Sequence, residues 1–300
     1  MADDVSAFAS EDVIALWPDG PPDPIPDVGA ERVFRMPTGG GGPETDWLRN
    51  VSKASLTVVR PHPDRANGTG VIVCPGGGWR ILAWRHEGMA VAEWFAERGV
   101  TAFVLKYRVM ATPDDPAAFD RLNQATIARE GQLGQVSGKA APRTLKSLGL
   151  DENHTRAMAA GATDGRRALA VVRERAGHFG VAPDRIGMIG FSAGAFVTAE
   201  VAVRPDGPPL AYAAAIYGGE TWGAPVPADA PPLFACIAQD DRLLARVVEG
   251  LYADWTSADR PAELHIFQKG GHGFGLVKQN RPSDHWPTLL EIWLKDLGCL

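Results

Sequence analysis

The run Gly190-Phe191-Ser192-Ala193-Gly194 places a serine between glycines, just after the apolar stretch 185–189 and just before the small-residue pattern 193–202. A serine on a strand-to-helix turn is a nucleophile elbow, an arrangement suited to acyl transfer. The strand lifts Oγ above the sheet edge, and the start of the helix favours developing negative charge. Serine at its free pKa is a poor nucleophile, so an imidazole must take its proton. The imidazole in turn needs a carboxylate that fixes its tautomer and stabilises its cation. Downstream stand Asp240-Asp241, at the end of the apolar run 233–238, and then His272 in Gly270-Gly271-His272-Gly273-Phe274-Gly275. His272 is the candidate base because its glycine-rich loop can bring an imidazole to the elbow. His265 falls inside a strand, His285 at the start of a helix and His62 among prolines, positions that suit structural or solvated side chains. Spacing does not choose between the aspartates: one is expected to face the histidine and the other to cap the next helix.

A second glycine-rich turn follows the apolar strand 71–74: Pro75-Gly76-Gly77-Gly78-Trp79. It reads either as a flexible turn or as a loop whose N–H groups approach a substrate oxygen that side chains would block. With the elbow present, the second reading is adopted: Gly77 and Gly78, joined by Ala193 just after the serine, are the candidate oxyanion donors. Trp79, Trp222 and Phe274 sit on loops at the same end of the sheet. They are candidate substrate contacts, able to stack a sugar ring or crowd an acyl group, with ordinary packing as the alternative.

These residues need a scaffold that collects strand ends. Apolar runs at 55–60, 71–74, 100–105, 185–189, 210–217, 233–238 and 263–267 read as strands. Amphipathic patterns at 87–98 and 166–179, the pattern 193–202, the run Leu244 to Trp255 and the C-terminal stretch through Leu289, Trp293 and Leu297 read as helices between or after them. Strand alternating with helix is the signature of a mostly parallel sheet with helices on both faces, and reactive groups in such sheets gather at the carboxyl ends of the strands. Residues 1–45, rich in Pro, Gly and Asp, read as an irregular N-terminal arm. Residues 46–300 read as one α/β domain, with a lid-like insertion at about 111–163, where periodicity breaks down after the 100–105 strand.

Composition narrows the function. A net charge of −6 argues against nucleic acid as a partner. No apolar run approaches the roughly 18–20 residues of a membrane helix. Cys74, Cys236 and Cys299 are far apart and suit buried or tail thiols rather than a disulfide framework. The acidic Met1-Ala2-Asp3-Asp4 lacks the basic region of a signal peptide, so the expected compartment is the cytoplasm. Histidines and carboxylates are scattered without metal-ligand spacing, and no cofactor is expected.

Ser, Asp and His in this order match the α/β-hydrolases. Three stretches, Val71 to Tyr107 with Cys74-Pro75-Gly76-Gly77-Gly78-Trp79 and His86-Glu87-Gly88, Asp164 to Gly194, and Gly270-Gly271-His272-Gly273-Phe274, resemble the acetyl-xylan and polysaccharide esterase group of that superfamily. The resemblance implies an α/β-hydrolase fold and a triad of Ser192, His272 and Asp241, the second aspartate of the pair. It also implies a serine esterase acting on short acyl esters of sugars or polysaccharides. A general carboxylesterase or lactonase, or a serine peptidase of the same fold, is the alternative. A peptidase of the prolyl-oligopeptidase kind would add a propeller, for which the chain has no room. A glycoside hydrolase would need two carboxylates facing across a bond, and filled triad positions argue against a non-catalytic scaffold.

Overall fold

The computed structural model describes residues 13–38, 42–133 and 144–300. Residues 1–12 and 39–41 of the expected arm, and 134–143 of the expected insertion, lie outside the described residues. In chain order the strands are β1 (Val13–Ala15), β2 (Arg32–Pro37), β3 (Glu44–Arg49), β4 (Ser55–Val59), β5 (Gly70–Cys74), β6 (Ile81–Leu82), β7 (Thr101–Lys106), β8 (Ile186–Phe191), β9 (Ala213–Ile216), β10 (Leu233–Ala238) and β11 (Ala262–Phe267). The α-helices are α1 (Ala90–Ala96), α2 (Pro116–Leu133), α3 (Glu152–Glu174), α4 (Ala176–Phe179), α5 (Ala193–Val203), α6 (Ala245–Ser257) and α7 (Trp286–Asp296).

Eight strands form the central sheet in the order β1-β4-β7-β5-β8-β9-β10-β11. β7 through β11 run parallel, and β4 and β1 are added antiparallel at one edge. Every residue of β5, β8, β9 and β10 is buried, which requires helices on both faces, as expected for parallel strands this apolar. Chain order reverses between β5 and β8: β7 lies on one side of β5, whereas β8 through β11 follow outward on the other. Such a switch opens a crevice beyond the strand ends because successive connections leave to opposite faces. The carboxyl ends of β5 and β8, paired through Cys74 and Gly190, meet there.

The sheet agrees with the sequence reading, but three boundaries differ. The arm is not irregular throughout. β1 pairs with β4, while β2 and β3 form a hairpin whose second strand, β3, also pairs with β6, just past the glycine-rich turn. Its half-exposed, Arg-rich strands next to Pro and Gly carry little apolar alternation, which hid them. The region 111–163 contains α2 and the first half of α3. α2 covers a cavity rather than the core, so it lacks a clean apolar stripe; Asp115, accepting the Ala118 N–H at 2.8 Å before Pro116, was the available start signal. α3 begins at Asp151, which caps the His154 N–H. Its buried face is small (Ala157, Ala160, Gly161, Gly165, Ala168), letting it lie close on α5 where Gly165 meets Val197.

The arm is fastened by a buried ion pair. Arg108 and Asp164 are both fully buried, with Nη2 and Oδ1 2.9 Å apart and Nε within 3.0 Å of both carboxylate oxygens. Trp17 Nε1 donates to the same carboxylate at 2.7 Å, and Arg108 Nη1 donates to the Asp23 carbonyl. The sheet, α3 and the arm therefore share one charge pair. Asp164→Ala leaves the guanidinium buried without its carboxylate and is expected to cost about 3–5 kcal/mol. Urea unfolding measures the loss, and limited proteolysis should show new cleavage around Trp17 to Asp23. A loss under about 1 kcal/mol with an uncut arm would contradict this account.

Candidate active site

The elbow is built by close backbone approach. Ser192 adopts φ 48°, ψ −117°, a conformation that L residues rarely occupy and that costs on the order of 1–3 kcal/mol. The glycines on either side are forced by space. A Cβ on Gly190 would lie 2.0 Å from the Gly194 carbonyl oxygen, and one on Gly194 would lie 2.0 Å from that of Cys74. β5, β8 and α5 thus touch through their main chains. The Ser192 N–H donates to Ile216 O at 2.9 Å and its carbonyl accepts from Ala195, so neighbouring structure holds the strained residue.

Ser192 Oγ lies 2.8 Å from His272 Nε2, and His272 Nδ1 lies 2.6 Å from Asp241 Oδ2. Asp241 is buried, at 3% exposure. Its second oxygen, Oδ1, accepts from the N–H groups of Leu243 and Leu244, so this one aspartate both meets the histidine and caps the turn that leads into α6. The expectation that the two aspartates divide these tasks is corrected. Asp240 Oδ1 instead accepts from the Gly270 and Gly271 N–H groups at 3.0 and 2.9 Å, tying down the loop that carries His272.

The 75–79 turn is closely packed and internally hydrogen-bonded. Gly77 has φ 130°, and its carbonyl accepts from Arg80 and Ile81; a Cβ there would lie 2.0 Å from Ile81 O. The Gly77, Gly78 and Ala193 N–H groups donate to no other group among the described residues. Gly77, Gly78, Ala193, Ser192 and His272 all line a single cavity of about 500 Å³. Cys74, immediately before this turn, is buried and its thiol is pushed up to about 12 by burial, so it stays protonated.

The three candidate substrate aromatics separate. Trp79 lines the cavity, 4% exposed and packed on Phe196 with ring centroids 5.4 Å apart. Trp222 lies behind Phe196, 5.6 Å away, and is not part of the cavity wall. Phe274 is 1% exposed and packs against Tyr217 and Phe267, so it belongs to the core. A loop position at the right sheet end did not reveal that the loop folds its ring inward.

Other wall residues come from the arm, expected to be irregular, and from the insertion expected to form a lid. Met36 and Trp47 enter from the hairpin, and Leu122, Asn123 and Thr126 from α2. Arg49 and Asn50 at the end of β3 fix this roof through Thr112, Pro113 and Asp114. Glu220, after β9, accepts the Leu145 N–H at 2.8 Å, and burial raises its carboxyl pKa. Glu87, in a turn of π-helix before α1, also borders the cavity. Among the described residues no group of three or more His, Cys, Asp or Glu is placed to hold a metal ion, and no helix is long and apolar enough to cross a membrane.

A curated acetylxylan esterase of Xylanibacter ruminicola is 22% identical over 269 residues, covering 78% of this chain and 47% of that protein. The chain spans about half the length of that relative. Among solved structures, the acetyl ester-xyloside bifunctional hydrolase of Caldicellulosiruptor lactoaceticus superposes with a TM-score of 0.58 at 22% identity, covering 83% of this chain and 89% of the other. A thermophilic esterase of Thermogutta terrifontis gives 0.57 at 17% identity, covering 92% and 95%. At these identities the likenesses establish the α/β-hydrolase fold. The dienelactone hydrolase family model matches residues 62–291, a span from the end of β4 into α7 that takes in the glycine-rich turn, the elbow, both aspartates and the histidine loop, and the chain belongs to that family.

Proposed function

We propose that this chain is a carboxylic ester hydrolase working through a covalent acyl-enzyme on Ser192. The observation that carries the reading is the hydrogen-bonded line Asp241–His272–Ser192 at the wall of a cavity bordered by three N–H groups that have no hydrogen-bond acceptor among the described residues. Ser192 Oγ attacks the ester carbonyl as His272 Nε2 takes its proton. The N–H groups of Gly77, Gly78 and Ala193 receive the oxyanion, helped by the N-terminus of α5. His272 then gives its proton to the departing alcohol. Water enters, loses a proton to His272 and attacks the acyl-serine, and His272 returns that proton to Ser192 Oγ as the acid departs. Asp241 keeps Nδ1 protonated and offsets the charge on the imidazolium.

For the substrate we propose short acyl esters, acetyl above all, of sugars or polysaccharides such as xylan. The acetylxylan esterase and the acetyl ester-xyloside hydrolase among its relatives support this. So does Trp79, which crowds the wall beside the oxyanion turn. A second reading, a general carboxylesterase for apolar esters, is favoured by the cavity's apolar lining of Met36, Ile81, Met110, Phe196 and Leu244.

Ser192→Ala should abolish turnover of a nitrophenyl acetate, and an organophosphonate should add one adduct on Ser192, seen by intact mass. Asp241→Asn should lower kcat by about three to four orders of magnitude with the fold intact by circular dichroism, because tautomer control is lost. Asp240→Asn keeps an acceptor for Gly270 and Gly271 and should stay within about threefold of wild type. Collapse in Asp240→Asn with normal turnover in Asp241→Asn would reverse the assignment.

Chain length separates the two substrate readings. On the sugar-acetate reading, kcat/KM for acetyl esters exceeds that for octanoyl esters. On the apolar reading each buried methylene contributes about 0.8 kcal/mol, roughly a fourfold gain per carbon. A series from acetyl to octanoyl nitrophenyl esters below KM, run beside acetylated xylo-oligosaccharides, decides between them.

A further inference from the structure

The motif His86-Glu87-Gly88 holds a buried acid that the hydrolytic steps do not use. Glu87 is 3% exposed and sits beneath the oxyanion turn. Its Oε2 accepts the Gly76 N–H at 2.8 Å, one residue before the proposed donors. Its Oε1 accepts the Tyr217 hydroxyl at 2.7 Å. Tyr217 is fully buried at the end of β9, and its oxygen accepts the Gly275 N–H at 3.1 Å, three residues after His272. The Tyr217 ring also lies edge-on to His272, with centroids 5.2 Å apart. The far side of Gly275 is held too, since its carbonyl accepts from Trp286 Nε1.

The surroundings leave the acid no simpler task. The neighbouring His86 has its Nε2 3.9 Å from Oε1, beyond hydrogen-bond reach. Nδ1 of His86 is engaged by Thr45 on β3 at 3.0 Å. Burial lowers the His86 pKa, keeping that ring neutral. A buried carboxylate is costly unless its oxygens are satisfied, and here both oxygens take donors from parts of the chain that converge only in the fold. The packing is tight as well: a Cβ on Gly76 would come within 2.5 Å of Glu87 Oε2.

We propose that Glu87 and Tyr217 are positioning residues that couple the oxyanion turn to the histidine loop, holding the two halves of the catalytic geometry in register. The proposal rests on the acyl-enzyme reading of Ser192. Neither residue touches the reacting atoms; they act through Gly76 and Gly275. Hydrogen-bond arithmetic makes the link specific for a carboxylate. In a Gln at 87 the amide oxygen can accept from Gly76 while the NH2 faces Tyr217, whose hydroxyl must then accept rather than donate and loses the carboxylate oxygen that received its proton. A displacement of about 1 Å in a group that aligns reacting atoms can cost about 100-fold in rate.

The experiment compares wild type, Glu87→Gln, Tyr217→Phe, the double variant and Ser192→Ala on nitrophenyl acetate. Active sites are counted by organophosphonate titration, so kcat refers to folded, competent enzyme. Each single variant should lose about 10- to 100-fold in kcat per titrated site. KM should stay within about threefold, the pattern of a lost transition-state alignment rather than lost binding. The double variant should fall no further than about threefold below the worse single, because both changes cut one link. Wild-type kcat per titrated site in both singles, a loss confined to KM, or losses that multiply in the double variant would overturn the proposal. Tyr217→Phe removes only a hydroxyl, so it decides alone if Glu87→Gln does not fold. Activity surviving in Ser192→Ala would overturn the acyl-enzyme reading itself. An inactive Ser192→Ala beside fully active Glu87 and Tyr217 variants would overturn only the coupling.

Discussion

Main-chain contact among β5, β8 and α5 is the constraint on which the rest of the site depends. Gly190, Gly194 and Cys74 meet at distances that leave no room for a Cβ on either glycine. That contact turns the chain sharply enough to put Ser192 in its strained conformation. Strain of this kind persists only where the surroundings over-determine it. Here the parallel pairing of β5 with β8 and the buried face of α5 against β8 and β9 supply that support. The serine hydroxyl consequently stands at the start of a helix, beside the turn that leaves β5, with little freedom to move away.

Around this fixed point the fold gathers groups from distant parts of the chain. The order reversal between β5 and β8 makes the crevice; β10 and β11, further out, send Asp241 and His272 back toward it. The His272 loop is long and rich in glycine, and it is held at both ends. Asp240 receives Gly270 and Gly271 on one side of His272, and Tyr217 receives Gly275 on the other. A loop flexible enough to reach the serine is thereby given few places to go. The roof is assembled separately, from a hairpin before the sheet and from α2, tied together where Arg49 and Asn50 meet residues 112–114. The floor is main-chain geometry, whereas the roof is side chains on peripheral elements, which is the division expected when one scaffold supports many substrates.

Most of the sheet was legible because its strands are buried on both faces and appear as short apolar runs with turn residues between them. β10 matches its apolar run residue for residue. The three candidate positions were legible for a related reason: each lies in the turn or loop that leaves the carboxyl end of such a run, where an α/β sheet presents reactive groups. The hairpin strands and α2 were not legible, since elements that roof a cavity bury only part of one side and leave weak periodicity. Phe274 shows the limit at single residues. Its place on the right loop is visible in the sequence, but its inward ring depends on Tyr217 and Phe267 from other strands.

By itself the sequence determined the alternation of strand and helix, the Gly-x-Ser-x-Gly turn and the chain order of serine, aspartate and histidine, because these are local patterns whose physics acts within a few residues. Only the tertiary structure decided which aspartate meets His272, that Asp240 secures the glycine loop, and that Glu87 and Tyr217, 130 residues apart, stand between the glycine-rich turn after β5 and the histidine loop. Adjacent carboxylates have the same chemistry until a strand end turns one inward and the other toward a neighbouring loop. A buried acid has no visible partner until the chain that supplies its donors has folded over it.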